Sequence, residues 1–182
     1  MHIPVLSLIL PLALAAPYTS RATAPSLAPQ ILTQISTLNS SLTSLTTAVT
    51  AFDGTLLHLL PQSLAVISAE TALDAATLKT TFIAKQSGNF TEAESNSVVG
   101  ALAGLIAPIQ TSLTALTTKY PVFKKTLESP IVLLDLKVLK AHTDDLIAAV
   151  TEKVVPASAG LLGLGKGIID KAFDDAIAVY EG

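Results

Sequence analysis

The sequence predicts an all-α protein, a single-domain bundle of about five helices with no disulfides, and three observations carry that prediction. Half of the 182 residues are hydrophobic but only 4% are aromatic. Leu and Ala dominate, a composition that favours helices over strands. Apolar residues recur at alternating spacings of four and three, the signature of a buried helix face. The chain has no cysteine, so a domain of this length must be held by apolar packing alone.

The N-terminus bears on compartment. Ile3 to Ala16 is a short apolar run ending in Ala13-Leu14-Ala15-Ala16. It is too short to cross a bilayer as a helix and has the small-residue exit of a signal peptide. The expected organisation is a signal peptide over 1–15, cleaved after Ala15 or Ala16, a flexible segment over 16–27, and a helical bundle over 28–182. The protein is expected to be secreted, either extracellular or held in a cell wall.

The first helix is the clearest. Ile31, Ile35, Leu38, Leu42, Leu45, Val49 and Phe52 form one unbroken stripe, and the opposite face is Ser and Thr. Those residues are indifferent helix formers, so tertiary packing must hold the helix. A second helix is expected from about Leu56 to Lys85, with Leu57, Leu60, Leu64, Ile67, Leu78 and Phe82 as its apolar set. Thr91-Glu92-Ala93-Glu94 reads as a capping box. It opens a third helix with Val98, Leu102, Leu105, Ile109, Leu113 and Leu116, which the interior Pro108 should bend. Tyr120 to Leu127 is expected to be a connection. Ser129-Pro130 has the form of a cap followed by a first-turn proline, ahead of a fourth stripe of Val132, Leu136, Leu139, Leu146 and Val150. After Pro156 and a glycine-rich connection from Gly160 to Gly167, the residues Ile168, Ala172, Ala176 and Val179 give a final helix.

Catalytic signatures fail one by one. Gly160-Leu161-Leu162-Gly163-Leu164-Gly165-Lys166-Gly167 nearly matches a phosphate-binding loop, but Gly167 stands where a Ser or Thr would hold magnesium, and no strand precedes it. His142 and Asp145 share a helix face and offer two ligands where zinc wants four. Asp144-Asp145 and Asp174-Asp175 are sequence neighbours, which do not face one another on a helix. No serine sits in a nucleophile elbow. The expectation is a protein that is not an enzyme, without cofactor or metal. The formal net charge of −3 comes with no basic stripe, which argues against nucleic acid as a partner. The polar C-terminus gives no transmembrane anchor, and a monomer is expected. Asn39-Ser40-Ser41 and Asn89-Phe90-Thr91 are sequons, with Asn89, in a loop, the better acceptor.

The stripes remain to be explained. No charge interrupts Ser95 to Thr118, so the third helix should sit centrally, and few aromatics are available to fill the middle. The candidate interior lipid-binding residues are Leu38, Leu42, Leu45, Leu102, Leu105, Ile109, Leu139 and Leu146. With its first-helix stripe, the Thr91-Glu92-Ala93-Glu94-Ser95 opening, the Leu102 to Leu116 spacing, Ser129-Pro130-Ile131-Val132-Leu133 and Lys153-Val154-Val155-Pro156, the chain resembles the fungal family of hydrophobic surface-binding protein A and the cell-wall galactomannoproteins. The resemblance runs from about Ala22 to Tyr180. It implies a helical bundle, export to the wall or medium, and binding of hydrophobic surfaces or long-chain, fatty-acid-like lipids. The alternative is a structural wall mannoprotein whose glycans carry the function.

Overall fold

The computed structural model describes residues 24–182, and those residues are helical without a strand. The expected signal peptide and its cleavage site lie outside the described residues. Six helical segments follow one another: α1 (Ala28–Ala51), α2 (Leu59–Gln86), α3 (Glu92–Ala103), α4 (Ile106–Lys125), α5 (Ser129–Thr151) and α6 (Pro156–Glu181). Segments α3 and α4 are the two halves of the expected third helix, so the bundle has five rods, one of them broken.

The break has a local cause. Pro108 has no N–H, and its ring would collide with the carbonyl four residues back, that of Gly104. The chain turns at Gly104 and Leu105, which places Pro108 third in α4, where an amide has no intrahelical partner in any case. Pro121 behaves differently. The expected connection over Tyr120 to Leu127 is mostly helix, because α4 runs through Pro121 to Lys125. Just beyond the proline, Phe123 is 1% exposed and stacks on Phe52 with ring centroids 4.5 Å apart. That anchorage outweighs the lost backbone bond.

Helix α1 buries the predicted stripe from Ile31 to Val49, and Phe52 closes its end. Its Ser/Thr face is tolerated because hydroxyls donate back along the helix, Thr37 to the Thr33 carbonyl at 3.2 Å and Thr47 to the Thr43 carbonyl at 2.8 Å among them. Helix α3 opens with the predicted capping box. The Thr91 hydroxyl accepts from the Glu94 amide at 3.3 Å, and the Glu94 carboxylate accepts from the Thr91 amide at 2.8 Å. Ser129 is not the cap of α5; Glu128 takes that position, and its carboxylate accepts from the Ser63 hydroxyl of α2 instead.

Two expectations about phase and extent are corrected. The apolar set predicted for α2 faces outward, with Leu57, Leu60, Leu64, Ile67, Leu78 and Phe82 all exposed. Its inner face is Val66, Leu73, Ala76, Thr77, Thr80, Thr81 and Ala84, small enough to pack close to α1. The run Gly160 to Gly167 is not a connection but the first half of α6, which begins at Pro156. The buried stripe of α6 is accordingly Leu162, Ile169, Phe173, Ala176 and Tyr180, with Ile168 and Val179 turned outward. Two glycines are required where they stand. Gly54 has φ +67, and a Cβ there would lie 2.6 Å from Val122; a Cβ on Gly88 would lie 1.9 Å from the Ala24 carbonyl oxygen.

The rods close a ring. Helix α2 packs on α1 and α5, α1 on the α3–α4 rod, that rod on α6, and α6 on α5. The Tyr180 hydroxyl ties the end of α6 to α4 by donating to the Leu116 carbonyl at 2.7 Å. The amide of Val155 donates to the Ser95 hydroxyl at 3.1 Å, fixing the start of α6 against α3.

Candidate functional site: an apolar cavity inside the ring

A ring of five rods with mostly Leu at its inner positions leaves its axis unfilled. The chain has no Trp and 5 Phe; Phe52 and Phe123 are spent on each other at one end. The result is a cavity of about 440 Å³, within the range typical of small-molecule sites.

Every rod contributes to the wall. Helix α1 supplies Leu38, Leu42 and Leu45, the broken rod Leu102, Leu105 and Ile109, and α5 Leu139 and Leu146. These are all eight interior residues nominated from the sequence, and the fold brings them onto one surface. All but Ile109 are buried. The α3–α4 break places Leu105 at the wall, between the two halves of its rod.

Sequence reasoning missed the wall from α6. Leu162, Ile169 and Phe173 line the cavity, but the glycine run hid the helix that carries them. It also missed Leu113, Leu116 and Leu136, which lay on recognised stripes and were simply not singled out. Helix α2 gives only Leu73 and Thr77, since its large residues point away.

The few polar groups on the wall are largely occupied. The Thr77 hydroxyl donates to the Leu73 carbonyl at 3.0 Å. The Ser112 hydroxyl donates to the Leu42 carbonyl at 3.2 Å and lies 2.5 Å from that of Thr46. Such satisfied hydroxyls leave the wall few polar groups to offer a ligand. The cavity opens between α3 and the first half of α6, where Leu161 and Leu164 line it while 60% and 70% exposed. Lys166 is the one charged residue of the wall among the described residues. Its ammonium bridges Asp144 at 2.5 Å and Asp170 at 2.6 Å, and hydrogen bonds to those carboxylates hold its pKa above the ordinary lysine value.

The other titratable groups lie elsewhere. Between α2 and α5, Glu70 has its pKa pushed up to about 7 by burial and by the neighbouring Asp135 and Asp74 charges. His142 does not pair with Asp145; its Nδ1 lies 2.5 Å from Asp74 Oδ1. Among the described residues no group of three or more His, Asp or Glu is placed to hold a metal ion. Asn39, on the outer face of α1, and Asn89, in the loop before α3, are both exposed. The segment Glu92–Lys125 is long and apolar enough to cross a bilayer, but Val98, Leu102, Leu113 and Leu116 are buried inside the ring.

The chain is similar to proteins of known structure. The structure of Afmp4p in complex with palmitic acid superposes with a TM-score of 0.80 at 34% identity, covering 84% of this chain and 99% of that one. Ligand binding domain 1 of the Penicillium marneffei MP1 protein, complexed with arachidonic acids, gives 0.74 at 16% identity over 81% of this chain and 94% of that domain. Domain 2 of the same protein, with multiple arachidonic acids, gives 0.73 at 18% identity over 85% and 95%. At those two identities the likeness is one of fold. No curated protein matches the sequence. Residues 28–152, from the start of α1 to the end of α5, match the family described as hydrophobic surface binding protein A. With a match over that span and a relative one-third identical along nearly its whole length, this chain belongs to the hydrophobic surface binding protein A family.

Proposed function

We infer that the protein is a secreted, non-enzymatic binder of long-chain fatty acids that takes the acyl chain into the cavity and leaves the head group at the α3–α6 mouth. The observation that carries this is the 440 Å³ cavity itself, lined mostly by apolar side chains of all five rods. The palmitic acid bound to the relative at 34% identity supports it. Burying a methylene is worth ~0.8 kcal/mol, so a chain of about fifteen gains ~12 kcal/mol gross. Lost motion and ordering take back several kcal/mol, leaving an affinity on the order of micromolar. The walls require nothing of the ligand but length and flexibility, and Asn96 of α3 is the polar side chain on the wall nearest the mouth, while Thr143 of α5 and Lys166, paired with Asp144 of α5, lie on the α5 side. No step of bond chemistry is needed.

The test is a titration of palmitate into wild type and Leu105→Phe, followed by fluorescence displacement. Leu105 is 6% exposed and on the cavity wall, so the larger ring fills the cavity. Wild type should bind with roughly micromolar affinity and the variant at least about ten-fold more weakly. No uptake by wild type would sink the proposal and favour the wall mannoprotein, whose two sequons are exposed.

A further inference from the structure

The two lips of the cavity mouth are built unequally. On one side α3 is fixed by its capping box and by Ser95, Val98, Val99 and Leu102, all of them buried. On the other side the first half of α6 is tied only at its ends. At its start the Ser158 hydroxyl donates to the Asn96 side-chain oxygen at 3.2 Å, beside the bond from the Val155 amide to Ser95. At the far end the Lys166 ammonium reaches Asp144 of α5 at 2.5 Å. Between those ties, residues 159–165 carry no polar side chain and bury one residue, Leu162. A Cβ added at Gly160, Gly163 or Gly167 would meet nothing within 4 Å, so these glycines weaken the helix without serving its packing. The second half of α6 is the opposite case. It buries Ile169, Phe173, Ala176 and Tyr180, and the Tyr180 hydroxyl is bonded to α4.

The weak span is also where the cavity wall is thinnest. Leu161 and Leu164 face the cavity and water at once, whereas α1 and α5 wall it with buried leucines. A long acyl chain inside the ring is surrounded by all five rods, so part of the ring must move aside to let it pass. A helical span with few buried contacts and several glycines is the part that opens most easily.

We propose that residues 159–165 of α6 are a lid, which bows outward between its two ties and withdraws Leu162 from the ring to admit or release the acyl chain. The proposal rests on the cavity reading for its cargo, but not for the motion. Leu162 is the one buried side chain the open lid gives up, so the docked half of α6 and the other four rods keep their places. The glycines then have a use that packing does not supply, since they keep the opening accessible. A lid that is closed in both the free and the loaded protein governs rates and not affinity. Stiffening it slows entry and exit alike.

The experiment compares wild type with the triple variant Gly160→Ala, Gly163→Ala, Gly167→Ala, three positions that do not line the cavity. Amide hydrogen exchange is followed along α6 in the ligand-free proteins, and palmitate association and dissociation are timed by stopped flow. In wild type, amides of residues 159–165 should be at least about ten-fold less protected than those of residues 169–180. The alanines should slow exchange across the lid, and both palmitate rates, by about ten-fold or more, with Kd changed by less than about two-fold. Uniform protection along α6 in wild type would overturn the lid. So would a variant whose palmitate rates match those of wild type, or one that dissociates faster, which would mark a damaged wall and not a stiffened one. If wild type takes up no palmitate, the cavity reading fails and exchange alone decides the lid: weak, alanine-sensitive protection over residues 159–165 supports it, and uniform protection overturns it.

Discussion

Glu70 shows how one buried acid can set the pH response of a fold that has little charge to spare. Burial raises its pKa from 4.5 to about 7, and the Asp135 and Asp74 charges on the same seam add to the shift. Burial also raises Asp135. The folded chain therefore binds more protons than the unfolded chain between those two values, and stability falls as pH rises through that window. The contribution is fully present below pH ~4.5 and lost above pH ~7. Glu70→Gln removes the titrating group, so its melting temperature should vary less than wild type between these limits and exceed it at the upper one. Thermal melts across that range check this, and an unaltered slope would remove Glu70 from the account. Leu127 makes a different prediction. Its φ of 65 strains a side chain that touches little, and Leu127→Gly should gain about 0.5–1 kcal/mol once glycine's own entropy cost is set against the relieved strain. Urea midpoints for the two proteins measure the difference.

Helix α6 carries Gly160, Gly163, Gly165 and Gly167, and a Cβ added at Gly160, Gly163 or Gly167 would meet nothing within 4 Å. Packing does not demand these three glycines, and each costs a helix ~0.8–1 kcal/mol relative to alanine. Replacing all three by Ala should raise stability by about 2–3 kcal/mol, readable as a shift in the urea midpoint; a loss of stability would mean that the first half of α6 is not held as a helix. The same glycines explain why this element was hard to read. Four of them in eight residues look like a connection, and only the docking of Leu162 and Ile169 on the ring makes the run helical. By contrast α1 was legible to the residue, because from Ile31 to Val49 its inner positions are all large and aliphatic and its outer ones mostly Ser or Thr. The stripes of α5 and of the broken rod were equally plain, and with them all eight nominated cavity residues. Helix α2 inverted the usual rule: its large apolar residues face out and its Thr and Ala face in, so the reading that worked for α1 gave the wrong face. What sequence cannot give is the phase of a helix that is apolar on two sides, since periodicity says which residues share a face but not which face finds the core. The cavity itself is a property of five faces meeting, and no single stripe distinguishes leucines that touch one another from leucines that surround a space.

At the scale of the whole molecule the space has a thermodynamic consequence. Cavities in protein interiors cost on the order of 24 cal/mol per Å³. That coefficient belongs to closed cavities, and this one opens to solvent, so only its enclosed part carries the cost. The sign is fixed all the same: the empty ring is the less stable one. There is no disulfide to compensate, so reducing agent should leave the melting curve unchanged and ligand should move it strongly. A ligand at 100 times its dissociation constant adds ~2.7 kcal/mol, which for a domain of this size is a rise of about 5–11 °C. Delipidated protein should therefore melt lower than protein as purified, and saturating palmitate should restore the difference. Leu105→Phe separates this from nonspecific binding. In a solid core the added ring would cost about 1–3 kcal/mol by overpacking; in a cavity it supplies part of what the acyl chain supplies. The variant should melt above delipidated wild type and respond little to palmitate. A variant that melts below delipidated wild type, beside a wild type that palmitate does not stabilise, would mean that the leucines close on one another and that the interior is an ordinary core.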